Sequence, residues 1–101
     1  MDDLKSTLEA TGFPVAYHHF AEGETVNPPF LCYYARSSHN FFADDAVHHP
    51  IIAYLVELYT EQKDPHTEAM VENALAAYGW EKSETYLESE RLYDILYEIE
   101  V

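Results

Sequence analysis

The sequence predicts an α+β layer fold. A single four- to five-stranded, mainly antiparallel sheet is covered on one face by two helices, in the order α-β-β-β-α-(β)-β. Three observations carry this. Two stretches place apolar residues at three- and four-residue steps, as helices do. The ending "RLYDILYEIEV" alternates apolar and acidic residues, as a strand with one dry and one wet face does. The run "VHHPIIAYLVELYT" is apolar on both faces, which marks a central, covered strand.

The first helix is expected from about Asp2 to Thr11. Leu4 and Leu8 stand four apart, Asp2 and Asp3 fall in the first turn where the helix dipole favours negative charge, and Gly12 is the stop. Pro14 leads into "VAYHHF", a short β-prone run. In a strand His18 and His19 point to opposite faces, so they would not grip one ion together. Residues 21–29, "AEGETVNPP", read as a loop, and "FLCYYA" (30–35) as a strand inside the sheet, apolar on both faces.

Residues 36–46, "RSSHNFFADDA", form a polar connector with Phe41 and Phe42 in its middle. In the strand signal over 47–60, Ile52, Tyr54, Val56 and Leu58 line one face and Ile51, Ala53 and Leu55 the other. Pro50 cannot donate a ladder hydrogen bond, so regular pairing should start after it. After the turn "EQKDP", Asp64 and Pro65 make a helix opening of side-chain cap and first-turn proline. Met70, Val71, Ala74, Leu75 and Tyr78 give a stripe over Pro65–Tyr78, with Gly79 as the expected C-terminal cap. A strand is expected near Trp80 to Ser83, then a mobile acidic loop. In the last strand Tyr93, Ile95, Tyr97, Ile99 and Val101 face in, and Asp94, Glu98 and Glu100 face out.

The 101 residues suit one domain spanning the whole chain, 1–101. Apolar residues at 48% exclude a disordered acidic tail, and the nine tyrosines suit half-buried faces and interfaces. The net charge of −14, from five Lys and Arg against nineteen Asp and Glu, excludes a basic nucleic-acid or anionic-membrane binder. Two acidic roles remain: a lining that DNA must not stick to, or an imitation of DNA. The one cysteine, Cys32, rules out an internal disulfide and reads as a small core residue. Neither a signal-peptide pattern nor an apolar run of about 20 residues is present, so a cytoplasmic protein is expected.

The segment "SSHNFFADDAVHHPII" holds His39, Asp44, Asp45, His48 and His49. A transition-metal site wants three or four converging ligands, and adjacent histidines entering a strand diverge. No nucleophile elbow or Gly-rich phosphate loop occurs. We therefore expect no enzyme, no catalytic or metal site and no cofactor. Phe41 and Phe42, with charges beside them, either fold this connector back onto its own sheet or anchor a subunit interface. A metal-dependent hydrolase built on His39, His48 and Asp44 is the reading this sets aside.

The pieces "GFPVAYHHF", "PPFLCYYARSSHNFFADD", "IIAYLVELYTEQKDPHTEAMVENAL" and "YLESERLYDILYEIEV" cover almost the whole chain. In them the chain resembles the tail terminator, or tail-completion (head–tail joining), family of long-tailed phages and prophages of Gram-positive bacteria. The "ELYTEQKDP" junction and the "LYDILYEIEV" ending carry most of the likeness. The resemblance implies a structural virion protein with no chemistry, located at the head–tail junction and assembled in the host cytoplasm. It implies a ring-shaped homo-oligomer, a hexamer when assembled, that caps the tail tube and meets the tail tube protein and the head connector protein. DNA would pass through the ring without specific binding. Phe41, Phe42, Asp44 and Asp45 would then lie at a subunit interface or in the lumen. An acidic lumen fits the charge reading, since like charges face each other across the channel. The rival expectation is an acidic DNA mimic that inhibits a host DNA-binding or restriction enzyme.

Overall fold

The structure, a computed structural model, describes residues 2–20, 26–36 and 53–100, with side chains from Leu4 onward. It is an α+β fold with one mixed five-stranded sheet and two short helices. In chain order the elements are α1 (Asp2–Glu9), β1 (Val15–Tyr17), β2 (Phe30–Ala35), β3 (Ala53–Thr60), α2 (Pro65–Ala74), β4 (Trp80–Leu87) and β5 (Leu92–Glu100). The strands lie in the order β1-β2-β3-β5-β4.

The alternation in β3 and β5 decides which face is dry. Tyr54, Val56 and Leu58 of β3 sit opposite Ile99, Tyr97 and Ile95 of β5, and all six are buried. Leu31 and Tyr33 of β2 join them, and Leu4 and Leu8 of α1 with Val71 of α2 and its C-cap Leu75 complete one cluster. Both helices therefore cover the same face. Each fully buried leucine contributes roughly 1.5–3 kcal/mol of transfer free energy. Leu4 and Leu8 on α1, and Val71 with the C-cap Leu75 on α2, are thus what hold the two helices down, because eight or ten residues are too few to stand alone in water.

Asp64 opens α2 by accepting a hydrogen bond from the Thr67 backbone N–H at 3.1 Å and from its hydroxyl at 2.7 Å. Those bonds hold the Asp64 carboxyl below the usual carboxylate range. An ion-pair chain then ties α2 to β4. Glu68, only 3% exposed, lies 2.7 Å from Lys63 and 2.6 Å from Lys82. Burial alone would raise the Glu68 carboxyl, but the two ammonium groups outweigh it and hold it low. Lys82 also donates to Glu72 at 2.7 Å, Glu72 accepts from the Tyr97 hydroxyl at 2.9 Å, and Lys63 pairs with Glu84.

Several expectations need correction. The sheet is mixed: β1 pairs parallel to β2, while the other three pairings are antiparallel. The strand begun at Trp80 runs on to Leu87 in place of an acidic loop. Its acidic residues are compatible with a ladder because β4 is an edge strand in contact with water, and Tyr86 packs on Tyr93 with ring centres 4.9 Å apart. β3 is central, but among the described residues helices cover one of its faces only, since α1 and α2 share that face. Gly79 does not cap α2. The helix ends at Ala74, and Tyr78 donates back to the Leu75 carbonyl at 2.9 Å, which folds its ring onto the core. The strand through "VAYHHF" stops at Tyr17, and His18 takes a left-handed φ of 71°. The alternation argument for His18 and His19 lapses there.

Candidate functional site

The face of the sheet that the helices leave bare carries the candidate site. Phe30, Cys32 and Tyr34 of β2, Leu55, Glu57 and Tyr59 of β3, and Asp94, Leu96 and Glu98 of β5 point to it, because each alternates with a residue of the core cluster. Leu55, Leu96, Tyr34, Tyr59 and Phe30 are half-buried. Phe30 stacks on Tyr59 with ring centres 4.9 Å apart and planes inclined 25°. Register places Tyr34 beside Leu55 and Leu96 beside Glu57, so apolar side chains border the acidic ones.

Two carboxyl groups meet in the middle of this face. Asp94 is opposite Tyr59, and Glu57 is one step along the same face of β3. Tyr59 donates its hydroxyl proton to Glu57 Oε1 at 2.8 Å. Burial first, then a hydrogen bond shared with Glu57, then the charges of Glu57 and Glu90, push the Asp94 carboxyl up to about 7. Asp94 Oδ1 is buried with no hydrogen-bond partner among the described residues. Nearby, burial followed by the charges of Glu57 and Asp94 pushes the Cys32 thiol up to about 11, and the same causes raise the Tyr34 hydroxyl. The patch is therefore a proton-sharing carboxyl pair set among half-covered aromatic and aliphatic side chains. Cys32 is a protonated thiol there, not a nucleophile.

At one end of this face lies a cavity of about 260 Å³ lined by His18, His19, Phe20, Phe30, Cys32, Tyr59, Glu90 and Leu92. At the opposite end Arg36 pairs with Glu98, both exposed.

The anchors expected at an interface or lumen, Phe41, Phe42, Asp44 and Asp45, lie outside the described residues, as do His39, His48 and His49. Cys32 is buried as its apolar run suggested, at 4% exposure. Sequence reasoning missed the Glu57–Asp94 pair. Its signal was a lone carboxylate inside "AYLVELYT", opposite an aspartate in the other central strand. Among the described residues, no group of three or more His, Cys, Asp or Glu is placed to hold a metal ion, and no helix is long and apolar enough to cross a membrane.

Comparisons with family models, with curated proteins and with solved structures give no match to this chain.

Proposed function

We propose that this protein is a ring-forming structural subunit at the head–tail junction of a long-tailed phage or prophage. It acts through surfaces and not through chemistry: it caps the tail tube, joins tail to head, and lets DNA pass. The observation that carries this reading is the bare sheet face, where Phe30, Tyr34, Leu55, Tyr59 and Leu96 stay half-buried beside Glu57, Asp94 and Glu98. Among the described residues no second layer lies over this sheet face, and such a face gains by being buried against another subunit. The net charge of −14 supports a passage that does not retain DNA. The tail tube protein and the head connector protein are the neighbours this function requires.

The test is a stop codon early in the gene, in the phage or induced prophage that carries it, followed by negative-stain electron microscopy of the lysate. Tails of irregular or excessive length beside full, unattached heads are expected. Regular tails unjoined to heads would reassign the subunit to the connector. Normal virions that fail only on restricting hosts would overturn the structural reading in favour of a DNA mimic.

A further inference from the structure

We propose that His18 and His19 form a two-nitrogen seat for a divalent first-row transition-metal ion, Cu²⁺, Ni²⁺ or Zn²⁺. The two Nδ1 atoms stand 3.2 Å apart, on rings whose centres are 5.2 Å apart and whose planes are inclined 86°. An ion bonded to both at about 2.0–2.1 Å would see them at an angle of about 100°, between the octahedral and tetrahedral values. Two imidazoles on adjacent residues reach this arrangement only if the backbone turns between them.

It does so here. His18 has a φ of 71°, in the left-handed region that non-glycine residues seldom occupy. The His19 backbone N–H donates to the Tyr17 carbonyl at 2.8 Å, closing a three-residue γ-turn around His18. The His18 N–H donates to the Tyr33 carbonyl at 2.7 Å, which pins the turn to β2. The His18 ring packs 5.5 Å from the ring of Tyr34. Backbone in a costly conformation persists where its surroundings over-determine it, and such positions concentrate at ligand sites.

Both imidazoles line the 260 Å³ cavity with Glu90 and Cys32. Glu90 adds negative charge to the wall. Cys32 is buried and stays protonated, so it supplies no thiolate. The ion would keep open positions for water, or for an imidazole or carboxylate of a second molecule. A hydrogen bond from one Nδ1–H to the other Nδ1 gives the same distance without metal, and a titration separates the two cases.

The test uses the full chain carrying H39A, H48A and H49A, which removes the other histidine-rich segment. CuCl₂, NiCl₂ and ZnCl₂ are titrated by equilibrium dialysis, and the Cu²⁺ form is examined by electron paramagnetic resonance. We expect one equivalent of Cu²⁺ bound with two-nitrogen hyperfine structure, and Ni²⁺ and Zn²⁺ bound more weakly than Cu²⁺. Adding H18N or H19A should weaken Cu²⁺ binding at least about tenfold, while H66A, at an exposed histidine, should leave it unchanged. Asparagine tolerates the left-handed conformation, so H18N keeps the turn, and H19A leaves that backbone position untouched. Absence of stoichiometric binding, or binding indifferent to both H18N and H19A, overturns the proposal.

Discussion

A carboxyl group forced to share its site with another carboxyl makes folding depend on pH, and Asp94 is that group. Its unfolded value is about 4, and in the folded chain burial and Glu57 push it up to about 7. Between those values the folded state holds a proton that the unfolded state has released. The contribution to stability is therefore complete below about pH 4 and is lost as the pH rises through about 7. Among the described residues, Glu57, Glu90, Tyr59, Tyr34 and Cys32 are the titratable groups whose charges act on it. D94N should flatten the dependence of melting temperature on pH between 4 and 8. At pH 8 it should stabilise the protein by roughly 1–2 kcal/mol after allowance for partial solvent screening. Parallel melting curves for D94N and the native chain over that range would show that the pair does not share a proton. The alternation of "RLYDILYEIEV" does put Asp94 on the outward face. It is silent about Glu57, because the pairing of β3 with β5 decides which carboxylates become neighbours, and that register links residues 37 positions apart.

Elements differ in how openly the chain announces them. β2, β3, β5 and the start of α2 follow from local patterns: a dense apolar run, period-two alternation, and the Asp64–Pro65 opening. β4 follows only in its first half, Trp80–Ser83, because the strand then goes on through acidic and polar residues. What fastens it to the rest of the fold is an ion-pair chain whose members stand far apart in sequence. Lys63, Glu68, Glu72, Lys82 and Glu84 bring α2, the turn before it and β4 together, and they use two of the chain's five lysines and arginines. Removing one partner of a buried pair costs more than the pair contributes. Lys82→Ala should therefore destabilise the protein by roughly 1–3 kcal/mol, moderated because Lys63 still faces Glu68 and Lys82 is itself about a third exposed. The loss should shrink when Glu68 is changed to Gln in the same chain. Additive losses in that double-mutant cycle, measured by urea denaturation, would count against the network.

On the scale of the whole molecule, the two faces of the sheet have unequal fates. The helix side is closed by leucines at or near zero exposure, and the other side is left half-covered. That difference gives the surface reading its sharpest test. Leu55→Ser should lower stability by only on the order of 1 kcal/mol, because the side chain is half-buried. Supplied in trans to the stop-codon phage, it should nevertheless fail to restore tails of regular length. Full rescue would mean that the bare face is not where subunits meet. The sequence pattern had placed a covering on both sides of β3, since apolar residues occupy both. A strand buried by its own chain and one waiting for another chain carry the same residues.

The two borders of the sheet are also unequal, with eight residues in β4 at one and three in β1 at the other. A row of copies joined border to border, β4 of one against β1 of the next, would match only three rungs per joint and leave most of the β4 backbone to water. Two copies joined β4 to β4 would match all eight and then offer nothing but the short border on either side. Among the described strands, border pairing is most extensive between two copies joined β4 to β4, which favours faces over borders as the contacts of the ring proposed above.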